Sequence, residues 1–363
     1  MTNAAGSPVS TLLIGYGLGG RVFHAPLVAT TPGMSLDGIV TSDPDRRRQA
    51  REAHPAAAVY SSAKDAWLAG HDLAVVSTAN VTHVPYASAA IGHGLHVVVD
   101  KPIAPTADDA RGLAAQAEAS GVHLIPFQNR RWDSDYLTAL AVAASGALGR
   151  VHRFESRLER MRVTPKPGWR NSTDPADMGG MLYDLGAHVV DQAIRLMGPV
   201  EKVMAILRSV RVPGAVDDDV LVALEHGSGA LSLLTVSQVG AFGQPRMTLN
   251  GTHGGLRIDA SDSQEAALVA GRRPSDAGGW GVEPPGTDAV LRTFDDGPAE
   301  RAVPLVPGTW PEFYRGVEST LRTGAPPPVL VTDVVENLRV LDAARESAST
   351  GRTVRLDPPA GHR

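Results

Sequence analysis

Cysteine is absent from the 363 residues, which excludes disulfides, thiolate nucleophiles and cysteine-ligated zinc together. An excess of positive charge is lacking too. The formal net charge is -5 with both signs mixed, so nothing indicates a basic surface for nucleic acid. No apolar run approaches the ~20 residues of a membrane span. The start, MTNAAGSPVS, has neither the basic nor the apolar region of a secretion signal and is expected to be a loose leader. Histidine occurs twelve times but scattered and without the HExxH pattern, so no metal site is expected. No internal repeat is visible. The expectation is a soluble, cytoplasmic chain long enough for two domains with substantial cores.

What is present begins with an apolar run, Leu12-Leu13-Ile14, leading into Gly15-Tyr16-Gly17-Leu18-Gly19-Gly20 and an amphipathic helix. Gly15, Gly17 and Gly20 fit G-x-G-x-x-G in a strand–turn–helix context. Gly15 permits the tight turn, Gly17 lets the main chain approach a pyrophosphate, and Gly20 lets the helix pack close on the strand. The helix N-terminus then offers N–H groups and a positive dipole end to the phosphates. A second strand over residues 36–40 completes a βαβ unit. After it, Thr41, Ser42 and Arg46 to Arg48 suit the 2′-phosphate of NADP, whereas Asp43 suits the ribose diol of NAD. The balance leans slightly to NADP.

Alternation continues with strands over 73–77, 95–100 and 123–125 and helices over 81–91 and 107–119. The strand over 95–100 ends in Asp100-Lys101-Pro102. Ligands of doubly wound sheets bind outside the carboxyl ends of strands, so Lys101 is aimed at that crevice unless it is a plain turn residue. Composition shifts at 126–133, which places a nucleotide-binding domain over 1–127 and a second domain over 128–363. There, one helix near 136–145 precedes strand-like stretches at 150–160, 203–211, 220–225, 230–239 and 246–250. Gly227-Ser228-Gly229 signals a hairpin between two of them. Such clustering predicts a largely antiparallel sheet, whose free face a homo-oligomer would cover. Residues 271–286 read as a surface loop and 331–350 as a closing helix.

The most informative stretch is MGGMLYDLGAHVVDQAIRLM over 178–197. At 100° per residue, Leu182, Leu185, Val189, Ala193 and Leu196 share one side, and Asp184, His188, Asp191 and Arg195 the other. On the helix alone the commoner reading is a solvated face with pairs Asp184–His188 and Asp191–Arg195. Gly186 argues against it, because a mid-helix glycine costs ~1 kcal/mol and wants a packing or access reason.

With these parts together, the chain resembles the Gfo/Idh/MocA oxidoreductase family over nearly its whole length. The resemblance rests on GYGLGG, on Asp100-Lys101-Pro102 where the family has Glu-Lys-Pro, and on GGMLYDLGAHVVD. Within the family the chain is most similar to the scyllo-inositol dehydrogenase-like branch, whose NADP-linked members carry runs like GYGLGGRVFHAPL, QNRRWDSDYL, YDLGAHVVDQ and GRRPSDAGGWG. Two departures stand out. Asp100 replaces the usual glutamate, and Asp43 stands where NADP-linked relatives place arginine.

The resemblance implies an α/β chain with an N-terminal Rossmann domain and a C-terminal α+β domain carrying a large, mostly antiparallel open sheet. It implies an NAD(P)-dependent dehydrogenase acting on a secondary alcohol of a polyol, inositol or sugar, assembled as a homodimer or homotetramer through that sheet. Lys101 and His188 are then expected at the reacting carbon, with Asp184 beside them. His188 is the candidate general base, its ordinary pKa lying nearest neutrality. Lys101 is the candidate for stabilising charge on the substrate oxygen, and these roles exchange among relatives. By the same resemblance the cofactor is met by Gly15, Gly17, Leu18, Gly19 and Gly20, by Thr41, Ser42 and Asp43, and by Ser77, Thr78, Asn80 and His83. Asp100, Lys101, Asn129 and Arg130 complete that set, and Trp169, Arg170 and Tyr183 are assigned to substrate. The duller alternatives are Asn80 as a helix cap, Arg130 as an ion-pair partner and Trp169 as packing. Competing functions are reduction of another sugar-derived or diol-derived carbonyl, and a catalytically silent cofactor-binding regulator. Retention of Lys101 and His188 weighs against the regulator.

Overall fold

The computed structural model describes residues 6–165, 168–276, 278–295 and 297–357. The chain forms two compact units, one of Met1–Asn129, Gln264–Trp280 and Thr309–Thr332, the other of Arg130–Ser263, Gly281–Gly308 and Asp333–Arg363.

The first unit is built on six parallel strands: β1 (Val9–Ile14), β2 (Met34–Val40), β3 (Ala58–Tyr60), β4 (Leu73–Val76), β5 (His96–Asp100) and β6 (Leu124–Phe127). Their order is β3-β2-β1-β4-β5-β6, the order of a dinucleotide-binding sheet. Val75, Val76, Val97, Val98 and Val99 are fully buried, as parallel strands with both faces covered require. The helices between them are α1 (Ala25–Thr30), α2 (Pro44–Ala53), α3 (Ala63–Ala66), α4 (His83–Gly92) and α5 (Ala107–Ala119). A π-helical turn, Gly19–His24, leads into α1. In α5 the Thr106 side chain caps the N-terminus, and Ala107, Ala110, Leu113 and Ala117 form the buried stripe.

Two segments from the second half of the sequence join this unit and were not assigned to it from sequence. One carries α8 (Gln264–Val269) and the other α9 (Pro311–Thr323). Phe313, Tyr314 and Val317 of α9 are fully buried, and the Phe313 ring meets Phe127 edge-on at 4.8 Å. A single division at 127/128 therefore does not follow the packing. The reason is that α9 buries its apolar stripe on an element nearly two hundred residues earlier, which no local pattern records.

The second unit holds a nine-stranded sheet of β7 (Val151–Glu159), β8 (Val200–Arg208), β9 (Asp219–His226), β10 (Leu231–Ser237), β11 (Met247–Gly251), β12 (Gly254–Ile258), β13 (Ala289–Thr293), β14 (Ala299–Val303) and β15 (Val354–Arg355). The order is β14-β13-β12-β11-β7-β10-β9-β8-β15. Neighbours are antiparallel except β7 and β10, which run parallel. The β9–β10 hairpin turns at Gly227-Ser228-Gly229, as the sequence predicts, with Gly229 at φ +78°. Helices α6 (Ser134–Ala144), α7 (Ala187–Met197) and α10 (Val331–Thr350) complete the unit. In α10, Val334, Leu338, Leu341 and Ala344 are buried. Among the described residues no helix is long and apolar enough to cross a membrane.

Candidate active site

The glycine turn sits at the carboxyl end of β1. Gly15 has φ +99°, and a Cβ there would fall on the Ser77 carbonyl oxygen. A Cβ at Gly20 would fall on the Gly15 carbonyl oxygen, so this glycine permits the close strand–helix approach. At Gly19 a Cβ would meet Ser77 Oγ at 2.6 Å and Asp100 Oδ2 at 2.9 Å. Gly17 is different, for its nearest neighbour would be the Arg46 guanidinium at 3.7 Å. Nothing inside the protein demands glycine there, and the space is open to a ligand. Leu18 lies between them, half exposed.

Beyond β2, Thr41 is buried and its N–H donates to the Tyr60 carbonyl. Asp43 caps α2, its Oδ1 accepting from the N–H groups of Asp45 at 2.9 Å and Arg46 at 3.0 Å. The Arg46 N–H, then the Asp45 N–H and the nearby arginines, hold the Asp43 carboxyl below its usual range. The three arginines part company. Arg47 donates to the carbonyls of Thr41 and Ser42, and Arg48 pairs with Asp45 at 2.8 Å. Only Arg46 joins Tyr16, Gly17, Leu18, Arg21, Asp43, Asp45 and Gln49 around a pocket of about 300 Å³.

At the ends of β4 and β5 a buried polar cluster forms. Ser77 Oγ donates to Asp100 Oδ2 at 3.1 Å, and the Lys101 N–H donates to Asp100 Oδ1 at 2.8 Å. His24 Nε2 lies 3.4 Å from Asp100 Oδ2. Burial alone would raise the Asp100 pKa. The His24 ring, with the charges of His24, His83 and Lys101, more than offsets it and holds the carboxyl well below the carboxylate range. His83 faces the Pro102 carbonyl at 2.8 Å through Nδ1 and the Thr78 carbonyl at 3.3 Å through Nε2. Burial holds its imidazole below the ordinary value against the pull of Asp100 and both carbonyls. The Thr78 hydroxyl accepts from Thr82, and Asn80 is buried at the start of the turn into α4. The Lys101–Pro102 peptide is cis. Asn129 is buried in a short 3₁₀ turn after β6.

In the second unit the stretch from Met178 is not one α-helix. Leu182–Gly186 is a π turn and α7 starts at Ala187. The polar side is buried rather than solvated, with Asp184, His188 and Asp191 at 7%, 5% and 3% exposure. The Asp191–Arg195 pair does not form, and Asp184 gains a partner outside the helix. Arg170 donates to Asp184 at 3.0 Å, while Asp191 takes both Nε and Nη2 of Arg131, at 2.8 and 2.7 Å. Arg195 pairs with Asp333 at 3.5 Å. A Cβ at Gly186 would lie 3.3 Å from Leu182 Cδ1, a tight contact that a shift of a few tenths of an ångström in that side chain would relieve.

The Arg170 guanidinium also sits 4.3 Å above the Trp169 ring, so these two side chains are brought to Asp184 together. Tyr183 is buried, and its hydroxyl accepts from Arg345 at 2.8 Å. Arg130 pairs with Asp133 at 3.1 Å, the ion-pair role that competed with a binding role. Sequence reasoning missed three features. Arg131 bridges Asp191 and Asp333, whose charges raise its pKa despite burial. The Asp217 carboxylate accepts from Leu182 N–H at 2.8 Å and so caps the turn that carries Asp184. The third is the Tyr314–His24–Asp100 chain. None had a local signal, because each joins residues far apart in sequence.

The turn fits a dinucleotide: Gly15 and Gly20 shape it, Gly17 leaves room, and Arg21 and Arg46 stand beside the opening. With the β3-β2-β1-β4-β5-β6 sheet this defines a nucleotide-binding α/β unit joined to a second unit that carries a broad mixed sheet. Comparison with known proteins agrees. Residues 9–127 match the oxidoreductase family with an NAD-binding Rossmann fold, and 136–257 match the GFO/IDH/MocA C-terminal domain. The oxidoreductase YdgJ of Escherichia coli (strain K12) is 35% identical over 95% of this chain and 97% of its own. The scyllo-inositol 2-dehydrogenase (NADP(+)) IolW of Bacillus subtilis (strain 168) is 31% identical over 95% of each chain. The solved oxidoreductase yvaA from Bacillus subtilis superposes with a TM-score of 0.90 at 29% identity, over 97% of this chain and 98% of that one. The chain belongs to the Gfo/Idh/MocA family of NAD(P)-binding oxidoreductases.

Proposed function

We propose that the protein is an NAD(P)-dependent dehydrogenase that oxidises a secondary alcohol of a polyol, inositol or sugar, or runs the reverse reduction. The observation that carries this reading is the joint placement of the glycine turn, Ser77, Asp100 and Lys101 at the carboxyl ends of β1, β4 and β5. His188 at the start of α7, four residues after the Asp184 that Arg170 holds, supports it, as does similarity to an inositol dehydrogenase.

The cofactor, when bound, supplies the hydride acceptor at C4 of its nicotinamide ring. Lys101 hydrogen-bonds the substrate oxygen and stabilises negative charge developing there. His188 takes the hydroxyl proton as the carbon–hydrogen bond breaks, giving ketone, reduced cofactor and one proton. Asp184, fixed by Arg170, holds the imidazole or a neighbouring hydroxyl. Around this centre, the glycines and Leu18 bind the pyrophosphate, Thr41, Ser42 and Asp43 the adenosine ribose, and Ser77, Thr78, Asn80, His83, Asn129 and Arg130 the remainder. Trp169, Arg170 and Tyr183 contribute to the substrate side. The assembly is a cytoplasmic homodimer or homotetramer closed over the sheet of the second unit.

Inositols and common aldoses, screened with NAD and NADP by absorbance of the reduced nicotinamide, test the reading. Turnover of a polyol that His188→Ala abolishes supports it. Tight cofactor binding without turnover of any sugar or ketone would make the protein a silent regulator instead.

A further inference from the structure

His24 and Tyr314 form a buried polar pair in the first unit that the reaction above does not use. Both side chains are fully buried. His24 Nδ1 lies 2.6 Å from the Tyr314 hydroxyl, and His24 Nε2 lies 3.4 Å from Asp100 Oδ2. An ionised Asp100 only accepts hydrogen bonds. It receives Ser77 O–H on Oδ2 and Lys101 N–H on Oδ1. His24 Nε2 makes no hydrogen bond of its own, so its 3.4 Å approach to Asp100 is an electrostatic contact, and that contact favours a proton on Nε2 over one on Nδ1. When Nε2 alone carries the proton, Nδ1 is an acceptor and the Tyr314 hydroxyl is its donor. Burial, and then the charge of Asp100, push the pKa of that hydroxyl up, which favours its role as a donor. The tyrosine ring itself is wedged against Phe313 and the His24 ring. This is the arrangement by which an outer partner fixes a histidine tautomer and thereby orients what the histidine touches.

We propose that Tyr314 and His24 are positioning residues for Lys101: the hydroxyl sets the imidazole, the imidazole sets the Asp100 carboxylate, and the carboxylate holds the first N–H of the Lys101 turn. The proposal rests on the reading that Lys101 meets the substrate. Loss of one positioning hydrogen bond should appear in kcat rather than in cofactor binding.

The test uses the full-length protein with whichever substrate the screen yields. Tyr314→Phe keeps the ring and removes one oxygen. It should lower kcat about tenfold, with the Kd for the reduced cofactor, read by nicotinamide fluorescence, changed by less than about twofold. His24→Gln, which can still donate toward Asp100 and accept from Tyr314, should retain more activity than His24→Leu. A packing role predicts the opposite order, because leucine suits an apolar core. Full kcat in Tyr314→Phe and in His24→Leu, alongside an inactive Lys101→Met, would overturn this inference and leave the proposed function standing. Full turnover in Lys101→Met would instead remove the proposed function. If the His24 variants fail to fold, ¹⁵N NMR of the unaltered protein decides: a neutral His24 protonated on Nδ1 breaks the chain, and protonation on Nε2 supports it.

Discussion

Arg170 donates its Nε–H to Asp184 Oδ2 at 3.0 Å while its guanidinium lies 4.3 Å above the Trp169 ring. The carboxylate is buried and the arginine is 37% exposed, so the pair is partly screened. Arg170→Gln should lower kcat/KM by roughly tenfold, in the range of one partly exposed charge-assisted hydrogen bond. Thermal stability should change little. Steady-state kinetics with an equal loss in an Asp184→Asn protein, and no further loss in the double variant, would establish that the two act as a unit.

Arg131 poses the stability question. It is buried between Asp191 and the half-exposed Asp333. Asp191→Ala leaves a buried guanidinium with one partner and should cost about 3–5 kcal/mol. Replacing Arg131 by Met and Asp191 by Leu together removes both charges and should recover most of that loss. Urea unfolding midpoints of the single and double variants check both statements.

Asp217 should make stability depend on pH in an unusual direction. Burial raises its pKa above the ordinary value, against the N–H groups of Leu182, Asp217 and Met181. A carboxyl with a raised folded pKa favours the protonated protein. Its contribution is therefore full below the unfolded value of about 3.9 and is lost as pH rises through the folded one. Asp217→Asn keeps an oxygen for the Leu182 N–H and removes the charge. Its melting temperature should exceed that of the parent above this window and converge with it on acidification. Identical pH profiles for both proteins would refute the assignment.

Cofactor preference should divide between Arg46 and Asp43, which face the same pocket. Arg46→Ala should weaken NADP by about tenfold or more and NAD by less than about threefold, since only NADP brings a 2′-phosphate. Asp43→Ser keeps a cap for α2 and removes the negative charge, so it should move preference toward NADP. Competitive titrations with both cofactors measure the ratio directly.

The open face of the second sheet offers a test of assembly. Met204, Ile206, Leu231 and Leu233 are 36–51% exposed, and cross-strand register aligns Met204, Ala223 and Leu233 in one row. Ile206→Glu with Leu233→Glu should convert an oligomer to monomer in light scattering after size exclusion. An unchanged mass would move the interface elsewhere.

Local rules carried much of the architecture. The glycine spacing located the nucleotide turn, and helices over 107–119 and 331–350 were legible to the residue. The solvated-face reading of 182–197 failed because α7 is packed on both sides, Val189 and Ala193 on one and His188 and Asp191 on the other, and periodicity alone does not report what covers a polar stripe. Strands β12 to β14 were unread because they are short and alternate poorly, β14 being exposed almost throughout. The parallel β7–β10 pair joins segments some seventy residues apart, and Tyr314 meets His24 across 290. No window of sequence contains such pairs, which is also why Arg131 was passed over for Arg130.

Membership of α9 in the first unit sets a schedule for biosynthesis. The ribosome completes β6 long before it reaches Phe313 and Tyr314, the rings that close over Phe127 and His24. At about 5–20 residues per second the nascent sheet would wait roughly ten seconds or longer with that apolar edge uncovered. A stalled or truncated transcript would thus release a half that looks whole on paper yet is a client for chaperones.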